Sequence, residues 1–409
     1  MPVAPKDAGG YVDEVPDGGR TILGVATSIT AFLGRACRGP THQPVLIDGF
    51  GEFERIFGRL DADYPLGYAL RDFFLNGGDQ AIIVRIPPSG GGDANGGRLT
   101  SADTLGREED KTGIFALLKT DLFNLLCIPA DTRAGTTDPI VYRNAAAFCE
   151  KHRAMLIIDS PADWSSANPP TALLADPAKA LGELGINGLS APNAAIYFPR
   201  LLEADPLSEG QIDTFVPCGA IAGIMARTDA QRGVWKAPAG LDASIAGIHG
   251  LEVNLDDEES GTLNRLGINC LRSFPTSGCV VWGARTMRGG DHFADEYKYV
   301  AVRRLSLFIE ESVSRGLQWV VLEPNDDALR AQIRAAVGAF LHDLFRQGAF
   351  QGATSREAYF VKCDRETTAQ NDVDLGILNV VIGFAPLKPS EFVILTLQQM
   401  AGQAGGQSE

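Results

Sequence analysis

VRRLSLFIEESVSRGLQWVVLEPNDDALRAQIRAAVGAFLHDLFRQGAFQGA occupies residues 302–353, followed by YFVKCD at 359–364 and GFAPLKPSEFVILTL at 383–397. Val302, Leu305, Ile309 and Val313 recur at helical spacing, so the block opens with a helix. Gly316 ends it. Trp319, Val320, Val321 and Leu322 predict a short buried strand. Pro324, Asn325 and Asp326 make a turn and an N-cap. A second helix carries Leu329, Ile333, Val337, Phe340, Leu341 and Leu344 on one stripe. Two strands follow, Tyr359 to Cys363 and Leu378 to Ala385, and a β-rich run from Glu391 to Leu397 comes close to the chain end. Chain ends fray unless something holds them. An apolar strand there needs a partner, in its own domain or in another copy.

Working outward, 409 residues suggest two or three domains, and 45% hydrophobic with 21% charged residues suits a globular chain with a large core. The net charge of −15 argues against wrapping nucleic acid or an anionic membrane. No apolar run is long enough to span a bilayer. The first residues lack the basic segment and apolar core of a secretory signal. Seven cysteines, Cys37, Cys127, Cys149, Cys218, Cys270, Cys279 and Cys363, are scattered singly, which suggests reduced thiols in a cytosolic product.

Residues 1–20 are rich in Pro, Gly and Asp and predict an extended arm. Such an arm would reach roughly 65 Å if fully extended. From residue 21 the pattern becomes α/β. Strands are expected at Ile22 to Val25, Thr30 to Gly34, Pro44 to Ile47 and Ala81 to Ile86, with helices at Phe50 to Phe57 and Leu66 to Phe74. The stretch Pro87 to Gly97 reads as a linker, so a boundary near 87–113 would divide the body into two lobes. Strands at Phe123 to Ile128, Met155 to Asp159 and Ala194 to Phe198 alternate with helices at Ile140 to Lys151 and Ala178 to Leu184. That alternation predicts a parallel or mixed sheet with crossover helices. A small-residue helix at Pro217 to Ala226 and a strand at Ser277 to Gly283 complete the middle. The expected layout is an arm at 1–20, an α/β body at 21–266, an α+β domain at 267–386 and a second arm at 387–409 with its strand at 391–397.

Motifs of catalysis do not emerge. Gly90 to Gly97 lacks the Lys-Ser/Thr of a phosphate loop and is read as linker. Asp372, Asp374 and Gly376 give only half of a calcium loop and are read as a polar turn. His42, His152, His249, His292 and His342 show no metal-ligand spacing. The acidic run Asp256 to Glu259 is read as a solvated loop, and Trp235, Trp282 and Trp319 as core. The expectation is a chain with no catalytic, metal or cofactor site. A soluble α/β enzyme acting on a small molecule through the middle domain is the alternative.

Four stretches resemble the sheath proteins of contractile tails, as found in myovirus phages, tailocins and extracellular contractile injection systems. Gly9 to Pro16, GGYVDEVP, is similar to the family's G-V-Y-V-x-E-x-P opening, with Gly10 where the family often has Val or Ile. The second stretch is ILGVATSITAFLGRACRGPTHQPVLIDGFGEFERIFG from Ile22, closed by FFLNGGDQAIIVRI. The third is WKAPAG at Trp235, LNRLGINCLR at Leu263 and VWGARTM at Val281. The fourth is the C-terminal block. They follow one another in the family's order and spacing.

The resemblance implies a structural subunit that stacks in rings of six around a rigid tube, then contracts and drives the tube through a target envelope. It implies an outer α/β body and an inner C-terminal α+β domain. It further implies arms that add strands to neighbouring subunits, here Tyr11, Val12, Asp13 and Glu14 against Phe392, Val393, Ile394, Leu395, Thr396 and Leu397. Implied partners are other copies or sheath paralogues, an inner tube protein, and baseplate and tail terminator proteins. Nucleic acid and direct membrane insertion are not expected. Synthesis and assembly would be cytoplasmic, with release by lysis as part of a phage tail or tail-like particle. Arg330, Arg334 and Arg346, away from the apolar stripe of their helix, are candidates for facing an acidic tube.

Overall fold

The structure is a computed structural model that describes residues 21–89, 97–293, 295–368, 377–389 and 391. The expected arm at 1–20, the strand residues Phe392 to Leu397, and most of the loops at 90–97 and 372–376 lie outside the described residues.

The body is built on one eight-stranded sheet. Its strands in chain order are β1 (Thr30–Gly34), β2 (Val45–Ile47), β3 (Ala81–Arg85), β4 (Leu125–Cys127), β5 (Met155–Asp159) and β6 (Ala194–Phe198). After a small separate sheet of β7 (Leu201–Asp205), β8 (Gln211–Phe215) and β9 (Gly250–Leu251), the large sheet resumes with β10 (Ile268–Phe274) and β11 (Gly278–Val281). The spatial order is β11-β10-β6-β5-β4-β1-β3-β2. The inner strands are parallel, and β2 and β11 close the edges antiparallel. Strands β1, β3, β5 and β6 are buried along their whole length, as a parallel sheet covered on both faces requires.

Successive residues serve opposite faces of this sheet. Ala31 and Leu33 join the core under helix Pro139–Lys151, while Phe32 joins the core under helices Pro65–Leu75 and Cys218–Arg232. In chain order the longer helices are α1 (Phe50–Phe57), α2 (Pro65–Leu75), α3 (Pro139–Lys151), α4 (Cys218–Arg232), α5 (Asp257–Asn264), α6 (Val300–Gly316) and α7 (Asp327–Arg346). Helices α2 and α4 lie unusually close because Gly219 and Gly223 face the backbone of α2. A Cβ at Gly219 would fall on the Ala69 carbonyl, and one at Gly223 on that of Phe73.

Beyond the body, α6 and α7 enclose a third core. Leu305, Ile309 and Val313 from α6 meet Ile333, Val337, Leu341 and Leu344 from α7. Each such side chain contributes about 1.5–3 kcal/mol of burial. The two-stranded sheet of β12 (Tyr359–Lys362) and β13 (Val381–Phe384) covers it. Among the described residues no helix is long and apolar enough to cross a membrane. The architecture is an α/β body joined to a C-terminal α+β unit.

Five expectations change. Trp282, read as core, is 41% exposed, against Phe274 at the edge of the body sheet. Trp319 to Leu322 is not a strand: Gln318–Val320 is a 3-10 turn, Val321 and Leu322 are exposed, and Leu322 has φ 74°, which an extended strand excludes. Ile22 to Val25 forms no strand either. Ile22 packs against Gly316 in the C-terminal core, and the Val25 amide donates to Ser312 Oγ at 3.1 Å. The acidic run is no loop. Asp256 caps α5 in a capping box with Glu259, which places the acids at the helix end where backbone N–H groups need acceptors. Finally, β10 and β11 belong to the body sheet, so the body extends past residue 266.

The small sheet carries a buried pair of acids. Asp72 on α2 and Glu203 on β7 are 3% and 1% exposed. Arg71 reaches both, with Nη2 at 2.5 Å from Glu203 Oε2 and 3.3 Å from Asp72 Oδ1. Asp72 Oδ2 and Glu203 Oε1 accept from no other residue, and the two carboxyls hydrogen-bond each other. One guanidinium cannot balance two desolvated carboxylates. Burial, then the charge of Asp72, push Glu203 up to about 9, and burial pushes Asp72 up to about 6 against Arg71. The folded chain therefore holds a proton that the unfolded chain, with Glu near 4.5, releases. That contribution to stability is complete below the unfolded value and is lost as pH rises to about 9. Wild-type unfolding free energy should fall by up to about 1.4 kcal/mol per pH unit across this window. Urea denaturation between pH 6 and pH 9 should show a flatter profile for Glu203→Gln. Parallel profiles would show that this glutamate is ionised in the fold.

Candidate functional site

The β12–β13 sheet has two strands among the described residues. Tyr359, Val361, Ile382 and Phe384 face the α6–α7 core, while Phe360 and Val381 point outward, 51% and 44% exposed. The sheet is tied down by Ala385, whose amide donates to Ala358, and by Gln351, whose amide donates to the Ala385 carbonyl. Two strands are below the number that is stable alone, and an unpaired edge is a template for a further strand.

Glu391, where the sequence places the start of the terminal strand, is anchored by Arg285 and Tyr299. Arg285 is fully buried, and its Nε and Nη2 donate to Glu391 Oε1 and Oε2 at 2.7 and 2.6 Å. Its Nη1 donates to Asp291 at 2.9 Å and to the Gly289 carbonyl at 3.1 Å. The Tyr299 hydroxyl donates to Glu391 at 3.1 Å. Burial opposes ionisation of Glu391, but the Arg285 guanidinium and then Tyr299 outweigh it and hold the carboxyl below its usual range. Asn269 on β10 continues the chain of contacts. Its Oδ1 accepts from the Arg285 amide at 2.6 Å, and its Nδ2 donates to the carbonyls of Arg285 and, on β6, of Ile196. The root of the terminal run is thus hydrogen-bonded, through two side chains, to the inner strand β6 of the body sheet.

A second buried ion pair joins body to C-terminal unit. Arg304 on α6 grips Asp229 on α4 with both terminal nitrogens, at 2.9 and 2.6 Å. Thr27 Oγ1 donates to the same carboxylate at 2.7 Å, and its carbonyl accepts from Arg304. Burial raises the Asp229 carboxyl, and Arg304 and Thr27 pull it back only in part.

This architecture, with a doubly covered sheet, an arm root fixed to it and a small sheet of two strands among the described residues, has known counterparts. Residues 109–287 match the phage tail sheath protein central domain, and residues 294–400 match the phage tail sheath C-terminal domain. The chain belongs to the contractile tail sheath family. A tail sheath protein of Vibrio phage KVP40 is 26% identical over 178 residues, which are 43% of this chain and 25% of that protein. The sheath chain spans about a quarter of the length of the curated relatives it matches. The anti-feeding prophage helical sheath in its contracted state superposes with a TM-score of 0.72 at 26% identity, covering 97% of this chain and 100% of that one. A sheath complex of the PVC extracellular contractile injection system, also contracted, shares the fold with a TM-score of 0.74 at 24% identity, covering 97% and 99%. The comparisons favour a structural sheath subunit over a small-molecule enzyme.

Of the residues expected at subunit joints, Tyr11 to Glu14 and Phe392 to Leu397 lie outside the described residues. Arg330 is 5% exposed, and its guanidinium bonds Asn325 and Asp327 at the start of its own helix. Arg334 is half-buried and donates to the Cys363 carbonyl at the end of β12. Arg346 is exposed in the last turn of α7. Sequence reading missed Arg285, Asn269, Asp229 and Arg304. One signal was present: Arg285 stands in VWGARTM, where an arginine flanked by small and apolar residues must be buried with a partner.

Proposed function

We propose that this chain is a non-enzymatic sheath subunit that stacks in rings of six around an inner tube and contracts to drive it through a target envelope. The observation that carries this reading is the β12–β13 sheet, two-stranded among the described residues, followed in the chain by the anchored root of the terminal strand. Phe392 to Leu397 would leave each subunit from Glu391 and pair with Tyr11 to Glu14 of another copy, giving directional main-chain linkage. Each hydrogen bond contributes about 0.5–1.5 kcal/mol net, so the strength lies in many joints. The Gly- and Pro-containing sequences Asp17-Gly18-Gly19 and Leu387-Lys388-Pro389 flank the proposed joints, where rotation of the bodies would leave the joints paired.

In this reading the C-terminal α+β unit forms the inner layer and the α/β body the outer one. Partners are other copies or sheath paralogues, the inner tube protein, and baseplate and terminator proteins, in a particle assembled in the cytoplasm. Among Arg330, Arg334 and Arg346, the last is the one whose guanidinium is free of a bond to its own subunit among the described residues. It therefore carries most of any attraction to an acidic tube. Negative-stain microscopy of the purified chain tests the function: striated tubes or cogwheel rings are expected, and persistent monomers would refute it. Deleting residues 1–20 should leave a folded, soluble protein by circular dichroism that forms no long tubes. Normal sheaths from the deletion would show that the arm is not a joint.

A further inference from the structure

Asn-Gly occurs three times in the chain, at 76–77, 95–96 and 187–188, and the pair at 95–96 lies outside the described residues. A glycine after asparagine leaves its backbone amide unshielded, because no Cβ stands beside it. The structure places the two described pairs in opposite surroundings. Asn76, at the end of α2, is fully buried. Its Nδ2 donates to the carbonyls of Asp72 and Ala246 at 2.9 and 3.3 Å, and its Oδ1 accepts from the Ala246 amide at 2.8 Å. The Gly77 amide donates to the Phe74 carbonyl at 3.3 Å. Both the side-chain amide and the backbone amide next to it are therefore held.

Asn187 is exposed, precedes the 3-10 turn Gly188–Asn193 and does not cap it with its side chain. Among the described residues its side-chain amide makes no hydrogen bond, and the Gly188 amide donates to no carbonyl. Gly188 has φ 65° with open space where a Cβ would stand, and Leu189 beside it is 82% exposed. We infer that Asn187–Gly188 is a site of spontaneous covalent modification, where this asparagine becomes aspartyl and isoaspartyl while Asn76 stays intact. The Gly188 nitrogen attacks Cγ of Asn187. The new N–C bond closes a succinimide ring, the bond from Cγ to Nδ2 breaks, and Nδ2 leaves as ammonia with the Gly188 amide proton. Water then opens the ring at either carbonyl, so no oxidant or enzyme is needed. Each event replaces a neutral amide by a carboxylate in a chain of net charge −15. The isoaspartyl form also lengthens the main chain at the entry to the turn. That turn ends at Asn193, whose Oδ1 accepts from Arg303 of α6 at 3.0 Å and whose Nδ2 donates to the Ala154 carbonyl at 2.8 Å. In a sheath of identical copies the new charge falls at the same place in each.

Tryptic mass mapping of the full-length chain, kept folded in mildly alkaline buffer, tests the site. Asn76 falls in fragment 72–85 and Asn187 in fragment 180–200. Fragment 180–200 should gain the mass of an amide-to-acid exchange and split into two chromatographic forms. Fragment 72–85 should convert more slowly by on the order of tenfold or more, because Asn76 reacts only when its surroundings open. Asn187→Gln should remove the change from 180–200, which separates Asn187 from Asn193 in the same fragment. In urea the two fragments should convert at similar rates. An unmodified 180–200 in the folded chain, equally fast conversion of 72–85 there, persistence of the change in Asn187→Gln, or a 72–85 that stays intact in urea would each overturn the inference.

Discussion

Asp229→Ala should destabilise the chain by about 3–5 kcal/mol, because it leaves a buried guanidinium without its counter-ion. Arg304 and Asp229 are 3% and 5% exposed, and Thr27 bonds both, so no water replaces the lost carboxylate cheaply. The pair is not a strong source of net stability, since burying both charges costs nearly what their attraction returns. Replacing both residues with apolar ones, Asp229→Leu with Arg304→Met, should therefore recover most of the loss. Arg365→Ala is the control. Its pair with Asp327 is exposed on both sides, 80% and 65%, and such pairs contribute little. Guanidinium denaturation of the three variants makes the comparison. An Asp229→Ala midpoint equal to that of Arg365→Ala would show that the joint between body and C-terminal unit is not held here.

The location of this pair explains why the sequence read the layers better than the joints. Helices α1 and α7 were legible within a residue or two, because their apolar residues repeat at helical spacing over several turns. Strands β5 and β6 were legible because fully buried parallel strands are continuous apolar runs. The β7–β8 hairpin was not. LLEAD and QIDTF look polar: Glu203 and Asp205 are buried against Arg71, Tyr68 and Arg133 from distant segments, and β8 is buried only at Phe215. WVVL at 319–322 failed in the opposite sense: Trp319 and Val320 pack against the C-terminal core from a 3-10 turn, while Val321 and Leu322 are left at the surface. The body boundary was misplaced because β10 and β11 return to a sheet whose preceding strand, β6, lies far earlier in the chain. The buried ion pairs join residues 75 and 106 positions apart, and no local pattern encodes such a pairing.

Those two pairs suggest how load would pass through the subunit. A pull on the terminal strand would meet Glu391 first, then Arg285, then Asn269, and end at the Ile196 carbonyl on the inner strand β6 of the body sheet. The Arg304–Asp229 pair ties α6 to α4. A subunit braced in this way would move as one piece while its arms take up the change of angle.

Ile394→Pro should abolish sheath assembly while leaving the monomer's circular dichroism and melting temperature unchanged. The alternation of Phe392, Ile394 and Thr396 against Val393, Leu395 and Leu397 puts apolar residues on both faces, which predicts a strand covered on both sides. Proline at its centre removes a ladder donor and fixes φ away from strand values. The anchor at Glu391 lies three residues earlier and does not depend on Ile394, so the arm's root should survive the change. The defect should then lie wholly in the link between copies. Glu391→Gln gives the complementary result. It weakens the bond to Arg285 and leaves the strand pattern intact, so monomer stability should fall before assembly does. Tubes of normal length from Ile394→Pro would show that this strand is not the joint. A large drop in its monomer melting temperature would show instead that the strand completes the subunit's own β12–β13 sheet.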